Sequence, residues 1–178
     1  MIWQYGDHMI GDQWGVSDAE VRRRYGCDDL VVAPTLEAWR GVTVHADPAG
    51  VWARLRQVRL APYSYDLLDN LGHRSPRELR EVPEPRPGDP FTHALGRDQG
   101  RILAVEPCRE LTATIMGAHM TYVVEPGERG TRLLLKVVAR TRPWLAPALS
   151  LGDLVMARKQ LLTLKALAER DARRTGQG

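Results

Sequence analysis

"LVMARKQLLTLKALAER", residues 154–170, has the spacing of a helix and comes last among the ordered elements of the chain. At about 100° per residue, Arg158 and Lys165 project almost the same way. Each has apolar residues three and four positions off, among them Leu154, Val155, Leu161, Leu162 and Ala168. Two cations beside an apolar stripe need something to face, and what they face depends on the elements that precede them. The helical pattern extends from about Ser150 to Arg173, and Arg170, Arg173 and Arg174 suit the negative end of the helix dipole. Pro143 and Pro147 in "PWLAPAL" set it off from what comes before.

Upstream stand short strand candidates at 91–95, 101–106, 109–116, 119–125 and 131–141, divided by turns near 96–100, Pro107, Gly117 and "EPGERG". Such spacing predicts an antiparallel meander. In its clearest member, "TRLLLKVVARTR" (131–142), Leu133, Leu135, Val137 and Ala139 alternate with Arg132, Lys136 and Arg140, one face for a core and one for water. "VPEPRPGDP" (82–90) forbids helix and interior strand alike and reads as a stiff connector.

"LEAWRGVTVHA" (36–46) reads as a first strand, after which Asp47 caps a helix, Pro48 fits its first position, and Val51, Trp52, Leu55 and Val58 follow at helical spacing. "SYDLLDNLG" (64–72) reads as a second short helix. In "GVSDAEVRRRYG" (15–26), Ser17 and Glu20 form a capping box, and Gly26 stands where a left-handed residue ends such a helix. Residues 1–14 hold large aromatics without a period, and read either as a loose leader or as an arm that packs on something.

The 178 residues suit one domain able to bury roughly 70% of the surface its unfolded chain exposes. The expected division is an N-terminal leader with a short helix over 1–35 and the domain proper over 36–178. With 43% hydrophobic and 26% charged residues, no apolar run near membrane length and no secretory start, the expectation is a soluble cytoplasmic protein without stable membrane insertion. The net charge of +3 is scattered among acids, which argues against nucleic acid. Cys27 and Cys108 lack metal-ligand spacing and read as unpaired thiols, and no metal site or cofactor is expected.

A strand, two short helices, a meander and one long terminal helix leave the sheet to be covered by the last element. A six-stranded sheet curls, and a helix lying along its concave side leaves a space. In this order, "HADPAGVWARL", "YSYDLLDNL", "GTRLLLKVVAR" and "GDLVMARKQLLTLKALAE" resemble the START-like helix-grip (SRPBCC) superfamily over roughly residues 36–172. That superfamily groups polyketide cyclases and dehydratases with lipid-transfer domains and plant hormone binders. The resemblance implies an α+β fold: a curved antiparallel sheet of six or seven strands around a long C-terminal helix, with two short helices after the first strand and an apolar cavity.

In such a cavity Arg158 and Lys165 have three readings: paired with carboxylates such as Asp66 or Asp69, snorkelling to the cavity mouth, or meeting an anionic ligand. Tyr63, Tyr65 and Asp66 lie where the pattern puts the short helices across one end of the cavity, and Met116, Met120, Tyr122, Leu161 and Leu162 are candidate wall residues. Core packing explains the same residue types. His45, His93 and His119 share no metal-ligand spacing, and neither His93 nor His119 is assigned a catalytic role.

No nucleophile elbow, phosphate loop or nucleophile–base pair is present. The sequence therefore points to a non-catalytic binder of a small hydrophobic or amphipathic molecule, leaving room for a homodimer. A polyketide cyclase/dehydratase-like enzyme and a protein-interaction module are the alternatives.

Overall fold

The alternating residues of 131–139 form β8 (Gly130–Ala139), which pairs antiparallel with β2 (Leu36–Val44) on one side and β7 (Ala118–Gly127) on the other. The computed structural model of the chain describes residues 12–63, 76–94, 96–140 and 146–176. The sheet continues through β6 (Glu110–Ile115) to β5 (Arg101–Glu106), and at its other edge β1 (Gln13–Trp14) adds in parallel to β2. Its six strands run in the order β1-β2-β8-β7-β6-β5. A separate hairpin joins β3 (Thr92–Ala94) and β4 (Arg97–Gln99).

Among the described residues the helices are α1 (Asp18–Arg22), α2 (Pro48–Arg56) with a 3-10 turn at Gln57–Arg59, and α3 (Ala146–Thr175). Ser17 and Glu20 make both bonds of the capping box, and Asp47 caps α2 through Gly50 N at 2.6 Å. Three local expectations are corrected. Helix α3 starts at Ala146, because Pro147 falls in its first turn, where a missing N–H costs nothing. Helix α1 ends at Arg22 with Arg23 extended, so Gly26 does not cap it; a Cβ at Gly26 would meet Glu110 Oε1 and Thr112 Oγ1 at 2.5 Å. Residues 97–99 form a strand where a turn was expected, flanked by Gly96 and Gly100 at positive φ. The helix expected in "SYDLLDNLG" lies outside the described residues.

The pleat divides the sheet into two faces. Leu36, Ala38, Val42, Val44, Leu111, Ala113, Met120, Tyr122, Val124, Leu133, Leu135 and Val137 face inward and pack with α2 and α3. Helix α3 contributes Ala157, Leu161, Leu164, Leu167 and Ala168. Its C-terminal half is clamped to α2 by the buried Arg54, whose Nε donates to Asp171 Oδ2 at 2.6 Å and Nη1 to Gln57 Oε1 at 2.7 Å.

The other face was expected to meet water, and it does not. The chain crosses β2 where Gly15 meets Gly41, a Cβ on Gly15 lying 2.3 Å from Gly41 O, and residues 16–33 then lie across the outer face. Tyr25 and Cys27 join Trp39, Val123, Leu134 and Val138 in a second buried cluster, flanked by Val16, Val21 and Val31. Ion pairs tie this cover down: Arg23 Nη1 to Glu125 at 2.6 Å, Arg132 Nε to Glu20 at 2.7 Å, and Lys136 Nζ to Asp28 at 2.6 Å and Glu37 at 2.9 Å. Lys136 Nζ also lies 4.7 Å from the Trp39 ring centre and 5.7 Å from that of Tyr25. The lysine that looked like a solvent residue is 5% exposed.

This cover makes the protein sensitive to alkali. Burial pushes the Cys27 thiol up to about 11 from an ordinary 9.0, and burial likewise holds the Tyr25 phenol above its ordinary range. For Lys136 burial acts downward, but hydrogen bonds to Asp28 and Glu37 and their charges reverse it, so its pKa is raised. All three groups keep their protons longer in the folded chain. Their stabilisation is complete below the unfolded values and is lost as pH rises through the folded ones, beginning near pH 9.0 with the thiol. The thiol alone accounts for about 2 to 3 kcal/mol, so the urea midpoint should fall steadily between pH 9 and 11, and less so in Cys27→Ala. A midpoint flat across that interval would contradict the buried-thiol assignment.

Candidate functional site

Helix α3 can be placed along β2 from three contacts. Arg158 lies over the Trp14 ring at 5.0 Å, and Trp14 is the register partner of Arg40. Lys165 Nζ donates to Thr43 O at 2.6 Å, and Glu169 Oε1 accepts from His45 N at 2.9 Å. Seven helical residues rise about 10 Å, as do three strand residues, so helix and strand run side by side in the same direction. The C-terminal half of α3 therefore seals the Val44 end of the sheet. Its N-terminal turns, from Ala146, project towards the Leu36 end.

Burial on the inner face follows this placement. From Val44 to the mid-sheet row of Arg40 and Leu135, the side chains of Val44, Leu133, Val124, Leu111 and Tyr122 are closed off, with Val42 at 7% exposure. Towards the other end Met120 reaches 9% exposure, and Ile115, Ala118 and Ala139 are half-buried apolar residues against the core. These last three are neighbours across the strands, Ala118 opposite both Ile115 and Ala139. The result is an apolar surface that the described elements only partly cover, at the end where α3 begins.

The residues singled out in the sequence divide accordingly. Met120, Tyr122 and Leu161 are buried on the inner face. Tyr63 is also buried, with φ 56°, and its hydroxyl donates to Pro76 O at 2.8 Å. Met116, expected as a wall residue, stands 92% exposed at the tip of the β6–β7 hairpin, because Met116 and Gly117 both take positive φ to make the two-residue turn. Leu162 is 38% exposed on α3, one position round from the buried Leu161. Tyr65 and Asp66 lie outside the described residues.

Arg158 and Lys165 find partners of their own. Arg158 is exposed and stacks on Trp14; Lys165 is held by the Thr43 carbonyl and stands 3.5 Å from Glu169. Three further cations also hold acceptors: Arg40 donates from Nη1 to Asp12 O and Trp39 O at 2.6 and 2.9 Å, and Arg54 and Lys136 are ion-paired as above.

One interior polar residue that the sequence did not disclose, among several described, is Gln160. On α3 it lies three residues after Ala157 and four before Leu164, on the buried stripe. Tyr122 donates to its Oε1 at 2.6 Å, and its Nε2 donates to Pro62 O at 2.6 Å. Sheet, helix and the segment after the 3-10 turn are thus joined by one carboxamide. Its position on the 157–161–164–168 stripe was the available signal.

The histidines sit elsewhere. His93 pairs with Asp98 at 3.0 Å on the exposed β3–β4 hairpin, His45 Nδ1 lies 2.9 Å from Arg129 O, and His119 alternates with Met120 and so faces outward. Among the described residues no group of three or more His, Cys, Asp or Glu is arranged to hold a metal. Among them also, no helix is long and apolar enough to cross a membrane.

No protein-family model matches the chain, and no curated protein does. Solved structures do match in fold. An AHSA1-like protein from Aeromonas hydrophila superposes with a TM-score of 0.52 at 15% identity, over 76% of this chain and 94% of the other. A protein from Rhodobacter sphaeroides gives 0.52 at 21% identity, over 77% and 95%. One from Mesorhizobium loti gives 0.50 at 18%, over 75% and 97%. With its mixed six-stranded sheet, early short helices and long terminal helix, the chain has the helix-grip fold.

Proposed function

We propose that the protein binds a small hydrophobic or amphipathic molecule on the inner face of the sheet, between the N-terminal turns of α3 and the end of the sheet formed by Ile115, Ala118, Met120, Val137 and Ala139. The observation that carries this reading is the row of half-buried apolar residues Ile115, Ala118 and Ala139, beside Met120, at the end of the inner face where α3 begins and next to the buried Leu36 and Ala38. A guest covering about 300 Å² of apolar surface there gains roughly 7 kcal/mol before the entropy of binding is subtracted, enough for micromolar affinity without special chemistry.

Binding is favoured over catalysis by where the described titratable groups lie. His93 and Asp98 are on an outlying hairpin, and His119 faces away from the proposed site. Native mass spectrometry of the protein purified from its own host provides the test. A retained small molecule, absent from Met120→Trp in which the indole fills the floor, is the expected result. A bare mass under non-denaturing conditions, with no guest taken up from added apolar probes, would overturn it.

A further inference from the structure

We infer that the ligand is neutral and carries a hydroxyl or carbonyl oxygen, and that Gln160 is the residue that reads it; the inference rests on the binding reading above. A carboxamide has two N–H donors and two acceptor lone pairs. Gln160 uses one donor on Pro62 O and one lone pair on the Tyr122 hydroxyl. One N–H and one lone pair are left on a side chain that is only 9% exposed. Tyr122 and Met120 are two residues apart on β7 and face the same way, which sets Tyr122 about 7 Å along the sheet from Met120 and about 14 Å from the half-buried Ala118. A neutral oxygen entering from the Ala118 end meets a group able either to donate to it or to accept from it.

Charge points the same way. A carboxylate brought to this depth needs a cation, and the described cations around the inner face are committed: Arg40 to two main-chain carbonyls, Arg54 to Asp171, Lys165 to Thr43 O, with Arg158 exposed over Trp14. The anchoring of Gln160 at both ends fixes its orientation, so the spare N–H and lone pair are held in one direction instead of sampling rotamers.

The pair of probes that isolates this claim is naphthalene and 1-naphthol, which share a ring system and differ by one hydroxyl; 1-naphthoate supplies the anionic counterpart. Affinities are measured by fluorescence titration at neutral pH on the full chain. The ratio of 1-naphthol to naphthalene affinity is expected to fall roughly tenfold in Gln160→Leu, the size of one hydrogen bond. Because that change leaves the Tyr122 hydroxyl buried without Gln160, the double variant Tyr122→Phe/Gln160→Leu removes both polar ends together and should show the same fall. A ratio that survives in the double variant, or wild-type protein that prefers 1-naphthoate to 1-naphthol, overturns the inference while leaving the binding reading intact. Wild-type protein that binds none of the three overturns both.

Discussion

A chain lacking residues 1–33 is expected to show no cooperative thermal transition. Those residues supply Tyr25 and Cys27, which close over Trp39, Val123, Leu134 and Val138 on the outer face of the sheet. Uncovering four such side chains forfeits roughly 2 kcal/mol each. Their sum is comparable to the whole stability of a domain, about 5 to 15 kcal/mol. The truncation also removes Glu20, Arg23 and Asp28, leaving Arg132, Glu125 and Lys136 without these partners. Circular dichroism melts of the full and shortened chains decide the matter. A shortened chain that melts cooperatively within a few degrees of the full one would mean that the cover is an accessory to the fold.

Lys136→Ala should cost about 3 kcal/mol, the lower end of the range for removing one partner from a buried ion pair. The lower end applies because Asp28 and Glu37 keep 23% and 40% side-chain exposure, so water relieves part of their repulsion. The alanine also removes the ammonium from between Trp39 and Tyr25. Lys136→Met keeps the aliphatic stem but leaves the two carboxylates facing each other. Adding Asp28→Asn and Glu37→Gln to it should recover most of the loss, since a buried ionic cluster replaced as a unit is close to neutral. Urea titration at pH 7 reads each step. A loss under about 1 kcal/mol for Lys136→Ala would place the lysine among ordinary surface ion pairs.

The inner half of this fold was legible because its signals are local and periodic. Strand β5 occupies the span its residues predicted, and α2 is capped by Asp47 as its sequence indicated. The outer face was misread for a physical reason. Alternation separates two faces of a strand but does not say what covers each, and Arg132, Lys136 and Arg140 look the same in water as against a segment bearing acids. The warning was in the same stretch: Leu134 and Val138 occupy the face assigned to water, as does Val123 on the neighbouring strand. Acids about a hundred residues away complete the cluster, and no local pattern encodes that pairing.

The candidate site was legible in part. Met120, Tyr122 and Leu161, offered in the sequence as wall residues with core packing as the equal explanation, are buried on the inner face. Arg158 and Lys165 were noticed as misplaced cations, and their positions beside the buried stripe explain the pattern: one reaches back over Trp14, the other to a strand carbonyl. Gln160 escaped because a glutamine next to Lys159 reads as surface, although its helical position is interior. Met116 was placed in the wall by its strand, whereas the two-residue turn puts it at the tip.

The most direct test of the proposed ligand site is a methyl NMR titration with 1-naphthol on protein labelled at Ala, Ile, Met, Leu and Val. Progressive shifts of Ile115, Ala118, Met120, Val137 and Ala139, with Val123, Leu134 and Val138 unmoved, are predicted. Shifts confined to the outer-face set, or none from either set at the solubility limit of the probe, would contradict the account.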